Sequence, residues 1–257
     1  MLIVIDPTAR RTDGESVRIA RDVLCAGEGE AKVCVLDRPG ALTRVLARRG
    51  GRRVVIVGDD GALLRAVTLL HETGELGASP LAMVPVGPGP SVAVARALGV
   101  PTDAVAASRA VLTGTDRRLD LLTDDAGGVV LGPLGIPAPN PRASGASGLW
   151  WRTVHRPRQR LRVEADGRVL ADLDRPVAGV SLRAAGGLAE VVVRPSPAGE
   201  DVSARATSVT VSGAVSGAGF SYRADAVVLG PTRERTWTVR PGALSLTVPA
   251  ARSNGSG

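Results

Sequence analysis

The feature that most limits what this chain can fold into is a corner that occurs twice. Val54-Val55-Ile56-Val57 is an apolar run of strand length that stops at Gly58-Asp59-Asp60-Gly61 and enters a helical pattern through Leu63–Leu70. Leu81-Ala82-Met83-Val84-Pro85-Val86 does the same, stopping at Gly87-Pro88-Gly89-Pro90-Ser91 before Val92–Leu98. Unbroken apolar strands are buried on both faces, which calls for a parallel sheet between helices. Two such corners at one end of a sheet build a crevice, and open α/β sheets bind ligands in such crevices.

The alternation holds through residue 117. Leu2–Ile5 and Lys32–Leu36 read as strands. Val17, Ala20, Val23 and Leu24 recur at helical spacing, Leu42–Arg49 is a short helix closed by Gly50-Gly51, and Ala104–Leu112 is a last helix with Thr102 as N-cap. Beyond Arg117 helical periodicity gives way to short β-rich runs. They are 119–122, 129–131, 161–163, 169–173, 177–182, 188–193, 207–211, 220–222, 226–229, 236–239 and 244–248. Asp166-Gly167 between two of them is a hairpin signal. The expected fold class is therefore α/β + β. Residues 1–117 form a parallel, Rossmann-like domain and 118–250 an antiparallel β-sandwich, with a Pro/Gly/Ser-rich loop at 132–148 and a disordered tail at 251–257.

Charge separates the same halves. Residues 1–126 carry 16 basic and 16 acidic side chains, so the net +7 arises in 127–257, with 16 and 9. A basic half invites an anionic partner. Cys25 and Cys34 are too few for a disulfide framework and read as buried thiols in a reducing compartment. No apolar run approaches the ~18 residues of a membrane span, and the start lacks a signal-peptide pattern, so the expected place is the cytoplasm.

Standard phosphate-binding motifs are missing. Lys32, the only lysine, is followed by Val33 rather than Ser or Thr, and the last glycine position of a dinucleotide fingerprint is Val92. His71 and His155 are far apart, so metal ligands stay unassigned. The corners instead resemble the catalytic domain of diacylglycerol kinases and related bacterial lipid kinases, where they read Gly-Gly-Asp-Gly-Thr and Gly-Thr-Gly-Asn-Asp. Here Gly58, Asp60 and Gly61 keep the first pattern, while Asp59 and Ala62 replace a glycine and the threonine. Gly87 and Gly89 keep the second, while Pro88, Pro90 and Ser91 replace its polar members. The family's opening Asn-Pro is Asp6-Pro7, and its Asp-Gly-Glu triplet, whose glutamate is the base for the lipid hydroxyl, is Asp225-Ala226-Val227.

The resemblance implies ATP with Mg as cofactors and a lipid hydroxyl as acceptor. It places Asp60 and Asp225 in catalysis, and Asp6, Gly58, Asp59, Gly61, Ala62, Gly87, Gly89 and Ser91 around the nucleotide. The departures cut against catalysis. Each proline deletes a backbone N–H, and Asp59 brings a negative charge toward phosphate. The chain reads as a lipid kinase-family member of weak or no activity, or alternatively as a dead relative that binds a lipid, a nucleotide or a protein.

One segment stands outside the resemblance. Between Arg142 and Arg162 lie six arginines, two of the three tryptophans and no acid. Trp150, Trp151, Arg152, Arg156, Arg158 and Arg160 suit an anionic membrane surface, with tryptophan at headgroup depth and arginine on the charge, and the membrane contact would be at the inner face. A single-stranded nucleic acid uses the same residue types, with Trp on bases. The plain alternative makes the alternating arginines the solvent face of a strand.

Overall fold

The computed structural model describes residues 1–38, 40–138, 159–197, 199–214, 219–225 and 227–250. It divides into two compact units, Met1–Leu119 with Gly242–Gly257, and Asp120–Pro241.

The first unit is built on four parallel strands, β1 (Leu2–Ile5), β2 (Lys32–Val35), β3 (Val54–Gly58) and β4 (Leu81–Pro85), in the order β2-β1-β3-β4. Every residue of β1, β3 and β4 is buried, as their apolar sequences require. Side chains alternate between faces. Ile3, Ile5, Val55, Val57, Ala82 and Val84 pack with Val17, Ala20 and Leu24 of α2 (Gly14–Gly27) and with Ala107 and Val111 of α6 (Ala104–Thr113). On the other face α3 (Ala41–Ala47) buries Leu42 and Leu46, and α4 (Asp60–Glu72) buries Leu63, Ala66, Val67 and Leu70. The second corner enters a 3-10 turn, Gly89–Val92, and then the five-residue α5 (Ala93–Ala97).

Aspartate carboxylates open most of the helices. Asp6, Asp13, Asp59 and Asp103 accept the N–H groups of Thr8, Ser16, Ala62 and Ala106. This corrects the expected N-cap at Thr102, since Asp103 places its carboxylate one residue closer to the helix. It also explains α1 (Pro7–Thr12), which has no apolar period to betray it. Only Ala9 is buried there, and Asp6 with Pro7 at the helix start supplies the signal instead. The cysteines are not buried as expected. Cys25 is exposed on the outer face of α2 beside buried Leu24, and Cys34 is half-buried on the edge strand β2.

The second unit is antiparallel throughout. One sheet has six strands in the order β12-β11-β10-β7-β14-β15, made of Val202–Ala206, Leu188–Pro195, Val177–Ala185, Leu134–Ile136, Phe220–Ala224 and Val227–Thr232. The other is built by β8 (Leu161–Ala165), β9 (Arg168–Ala171), β13 (Ser208–Gly213) and the early part of β16 (Glu234–Val248), with β5 (Thr115–Asp124) and β6 (Val129–Val130) beside them. Their inward residues share one core around fully buried Trp237, which meets Tyr222 edge-on at 5.2 Å between ring centres. Asp166 (φ 48°) and Gly167 (φ 81°) turn the β8–β9 hairpin, as the sequence signal requires.

Three expectations change. β7 lies inside the stretch expected as loop 132–148, and β12 carries no apolar run; both are found because neighbouring strands supply their pairing. The segments 236–239 and 244–248 are one continuous strand rather than two; Gly242 takes φ 56° without reversing the chain. That strand serves both units. Its start pairs with β13, and Leu246 pairs in parallel with Leu81 of β4. Residues 242–250 group with the first unit.

Candidate functional site

The strand order β2-β1-β3-β4 reverses direction between β1 and β3, and ligands of open α/β sheets bind outside the strand ends at such a switch point. Asp6 follows β1 and Gly58 ends β3, so both stand at that point. A Cβ on Gly58 would lie 2.8 Å from the Ala62 Cβ and 3.0 Å from the Asp6 Cβ, which leaves glycine the only fit. The Val86 N–H donates to the Gly58 carbonyl at 2.8 Å and so ties the second corner to the first. Gly87 has φ 148°, and a Cβ there would meet the Ser91 Oγ at 2.6 Å and the Asp59 Cβ at 3.8 Å. Gly89 is different, since only the Arg96 guanidinium lies near, at 3.8 Å.

The carboxylates of the corner are turned onto the protein's own backbone. Asp59 caps α4, its Oδ1 accepting the Ala62 N–H at 2.9 Å. Asp60 is buried and accepts the N–H groups of Val94 at 2.8 Å and Ala95 at 2.9 Å, at the start of α5. Burial pushes the Asp60 carboxyl above its usual range and the neighbouring Asp59 adds to that, while the two N–H bonds pull the other way without winning. Asp6 is buried too. Its Oδ1 accepts the Thr8 N–H at 2.8 Å and its Oδ2 accepts from Arg65 at 2.6 Å. Ser91 donates its hydroxyl to the Pro88 carbonyl at 2.8 Å.

A family nucleotide would need free donors in these turns. The N–H groups of Ala62, Val94 and Ala95 are answered by Asp59 and Asp60, Pro88 and Pro90 have none, and Ala62 has no hydroxyl. Three donors beside the turns are therefore taken and two are absent, which weakens a phosphate cradle of that design. Among the described residues no three His, Cys, Asp or Glu side chains gather as a metal site.

The remaining expected residues belong to the second unit or lie outside the described residues. Asp225, in the second unit, takes φ 51° in the turn between β14 and β15 and accepts the N–H groups of Leu131 at 3.1 Å and Gly132 at 2.6 Å. Trp150, Trp151, Arg152, Arg156 and Arg158 lie outside the described residues. Arg160 donates to the Leu173 carbonyl at 3.0 Å, and Arg162 pairs with Glu164 and, at 2.9 Å, with Asp172. The residue that sequence reasoning missed is Arg65. It stands one helical turn beyond Gly61 and meets Asp6 across 59 residues of chain, so no local pattern announces it.

Comparison with known proteins places this geometry. Residues 1–123 match the family model described as the diacylglycerol kinase catalytic domain. That stretch of the chain is similar to the diacylglycerol kinase catalytic domain. The whole chain shares its fold with solved structures from Bacillus anthracis str. Sterne. One, of a diacylglycerol kinase, has a TM-score of 0.72 at 15% identity, and 96% of each chain is covered. Another, whose diacylglycerol kinase name is provisional, has a TM-score of 0.74 at 15% identity with the same coverage. No curated protein matches the sequence. Among the described residues no helix is long and apolar enough to cross a membrane.

Proposed function

We propose that this chain is a diacylglycerol kinase-family protein whose transfer of the ATP γ-phosphate to a lipid hydroxyl is weak or absent, and that it works as a binding module for a lipid, a nucleotide or a protein. The observation that carries this reading is the occupation of helix-start donors beside the turns, with Asp59 on Ala62 and Asp60 on Val94 and Ala95. Phosphoryl transfer depends on positioning and on neutralising charge. A carboxylate in the turn works against both, since two unit charges ~4 Å apart repel by roughly 4 kcal/mol at an effective dielectric of ~20. The residue in the place of the family's glutamate is Val227, which cannot take a proton.

A second reading, an active lipid kinase using ATP and Mg, is favoured by one observation. Gly58, with its close contacts, and Asp60, buried behind it, keep the corner's shape. Titrating Mg-ATP while following the melting temperature separates the two, alongside transfer of labelled phosphate to diacylglycerol in mixed micelles. The expected result is no shift at millimolar nucleotide and no product. A ligand at a hundredfold excess over its dissociation constant stabilises by ~2.7 kcal/mol; such a shift, accompanied by labelled product and lost with it in Asp60→Ala, would establish the active kinase.

The arginine–tryptophan segment supports a peripheral contact of a cytoplasmic protein with anionic lipid. Liposomes containing anionic lipid should sediment the protein at low salt and release it as salt rises. Trp150→Ala with Trp151→Ala should weaken that binding even at low salt. Binding of single-stranded oligonucleotides instead would favour the nucleic-acid alternative.

A further inference from the structure

Among the described residues, the large apolar side chains left exposed are Val33 and Val35 on β2, Val169 on β9, and Val227, Val228 and Leu229 on β15. All three strands stand at a sheet edge. An open edge is a template for another strand, and proteins blunt it with proline or charge. β15 contains Pro231, and β9 exposes its one valine beside Arg168. β2, Lys32-Val33-Cys34-Val35, has no proline, and its one charge is at its first residue.

The backbone of β2 is open at the two valines. The Lys32 N–H donates to the Met1 carbonyl and the Leu36 N–H to the Ile5 carbonyl, each at 3.0 Å. In a parallel pair alternate residues turn both backbone groups to the neighbour, so Lys32, Cys34 and Leu36 face β1. Val33 and Val35 turn their N–H and C=O groups the other way, and their side chains share one face of the sheet. On that side the sheet ends.

We infer that β2 is a docking edge for a second copy of this chain, paired antiparallel about a two-fold axis at Cys34. A two-fold contact needs a patch that complements itself, and β2 does. With the axis at Cys34, Val33 stands opposite Val35 of the copy, and Val35 opposite Val33 of the copy. The outward N–H and C=O groups of both valines then close hydrogen-bonded pairs, and the exposed side chains cover one another. The same register brings exposed Glu30 beside Arg38 of the copy at each end. Arg38 is also exposed, and its contact with Asp37 is long, at 3.8 Å. With the axis at Val35, Lys32 would oppose Arg38 instead, and like charges directly opposite destabilise a pair. Cys34 meets Cys34 of the copy as a pair without hydrogen bonds, where Cα atoms are ~4.5 Å apart, inside the disulfide range. Nothing in this pairing depends on phosphate transfer.

Sedimentation velocity from ~1 to ~200 µM should show a monomer–dimer equilibrium, since pairing through so short a strand makes a small interface that dissociates on dilution. Val35→Pro deletes an outward N–H without touching a bond to β1, and should raise the dissociation constant about tenfold or more. Glu30→Arg should weaken the dimer severalfold, and Glu30→Arg with Arg38→Glu should restore it, which a misfolded chain would not do. Diamide takes two electrons and two protons from a pair of thiols and so reads the register. It should link the wild type and Cys25→Ser into a covalent dimer and leave Cys34→Ser monomeric, although Cys25 is the more exposed thiol. If Val35→Pro does not fold, the charge swap and the cross-link decide. A monomer at every concentration would overturn the inference. So would a dimer indifferent to the charge swap, or one whose cross-link runs through Cys25.

Discussion

A carboxylate that accepts two N–H groups from a helix start has little left for a substrate, and Asp60 is held that way by Val94 and Ala95. Asp60→Asn leaves one of those buried donors without an acceptor, which should cost about 1–3 kcal/mol in a urea melt. The pH dependence has a definite sign. Burial raises the folded-state pKa of Asp60, so the folded chain holds the proton more tightly than the unfolded one. The wild type's advantage over Asp60→Asn should be greatest below about pH 4, and it should shrink as pH rises through the folded value. Asp166 predicts the reverse. The Thr207 N–H first, then its hydroxyl and the Ser208 N–H, hold the Asp166 carboxyl below its ordinary range despite some opposing burial. Asp166→Asn should therefore melt lower than the wild type at pH 7, and the difference should disappear as pH falls through and below about 4. Single residues were legible where a turn marked them, as at Gly58 and Gly87. Arg65 and the backbone partners of Asp60 were not, because long-range pairing leaves no periodic trace.

At the scale of elements, the glycine corner is a contact problem before it is a chemical one. Gly58→Ala would press a methyl to 2.8 Å from the Ala62 Cβ where β3 enters α4, and both partners belong to rigid backbone elements. Gly87→Ala would add a left-handed backbone strain to a 2.6 Å clash with Ser91. Each should lose about 1–3 kcal/mol by thermal or urea melting, whereas Gly89→Ala, with open space beside it, should stay within ~0.5 kcal/mol of wild type. Equal losses at all three positions would mean the turns are held by something other than these contacts. The buried strands and longer helices of the first unit were readable because burial on both faces writes an unbroken apolar run. The strands β7 and β12 were not, since they are short and are defined by neighbours far along the chain. The edge strand β15 shows the same limit from the other side. Val227, Val228 and Leu229 read as a buried run yet are all exposed, because β15 has a paired neighbour on one side only.

On the scale of the whole molecule, the last helix, α6, ends at Thr113 and β5 begins at Thr115, and a switch of period near residue 117 could not show that the chain comes back. The last strand reads as β wherever it lies, and only its pairing decides which unit owns it. Leu244 and Leu246 are fully buried, Leu246 pairs with Leu81, and Thr247 donates its hydroxyl to Asp116 at 2.7 Å. The Val248 carbonyl lies so close to Gly114 that a Cβ there would stand 2.3 Å away. Burying two leucines contributes about 3–6 kcal/mol, a large share of the 5–15 kcal/mol that holds a typical domain. A chain truncated after Pro241 should therefore destabilise the first unit, although it removes nothing from residues 1–119. Hydrogen exchange would show the loss at β4, which loses its pairing with Leu246, and limited proteolysis would cut first in residues 1–119. The same deletion leaves the Asp120–Pro241 unit with its own strands and its Trp237 core, so amides of β10 and β11 should keep their protection. Protection lost equally in both units would mean that they unfold as one cooperative body. Loss confined to the second unit would mean that the closing strand belongs to the β half after all.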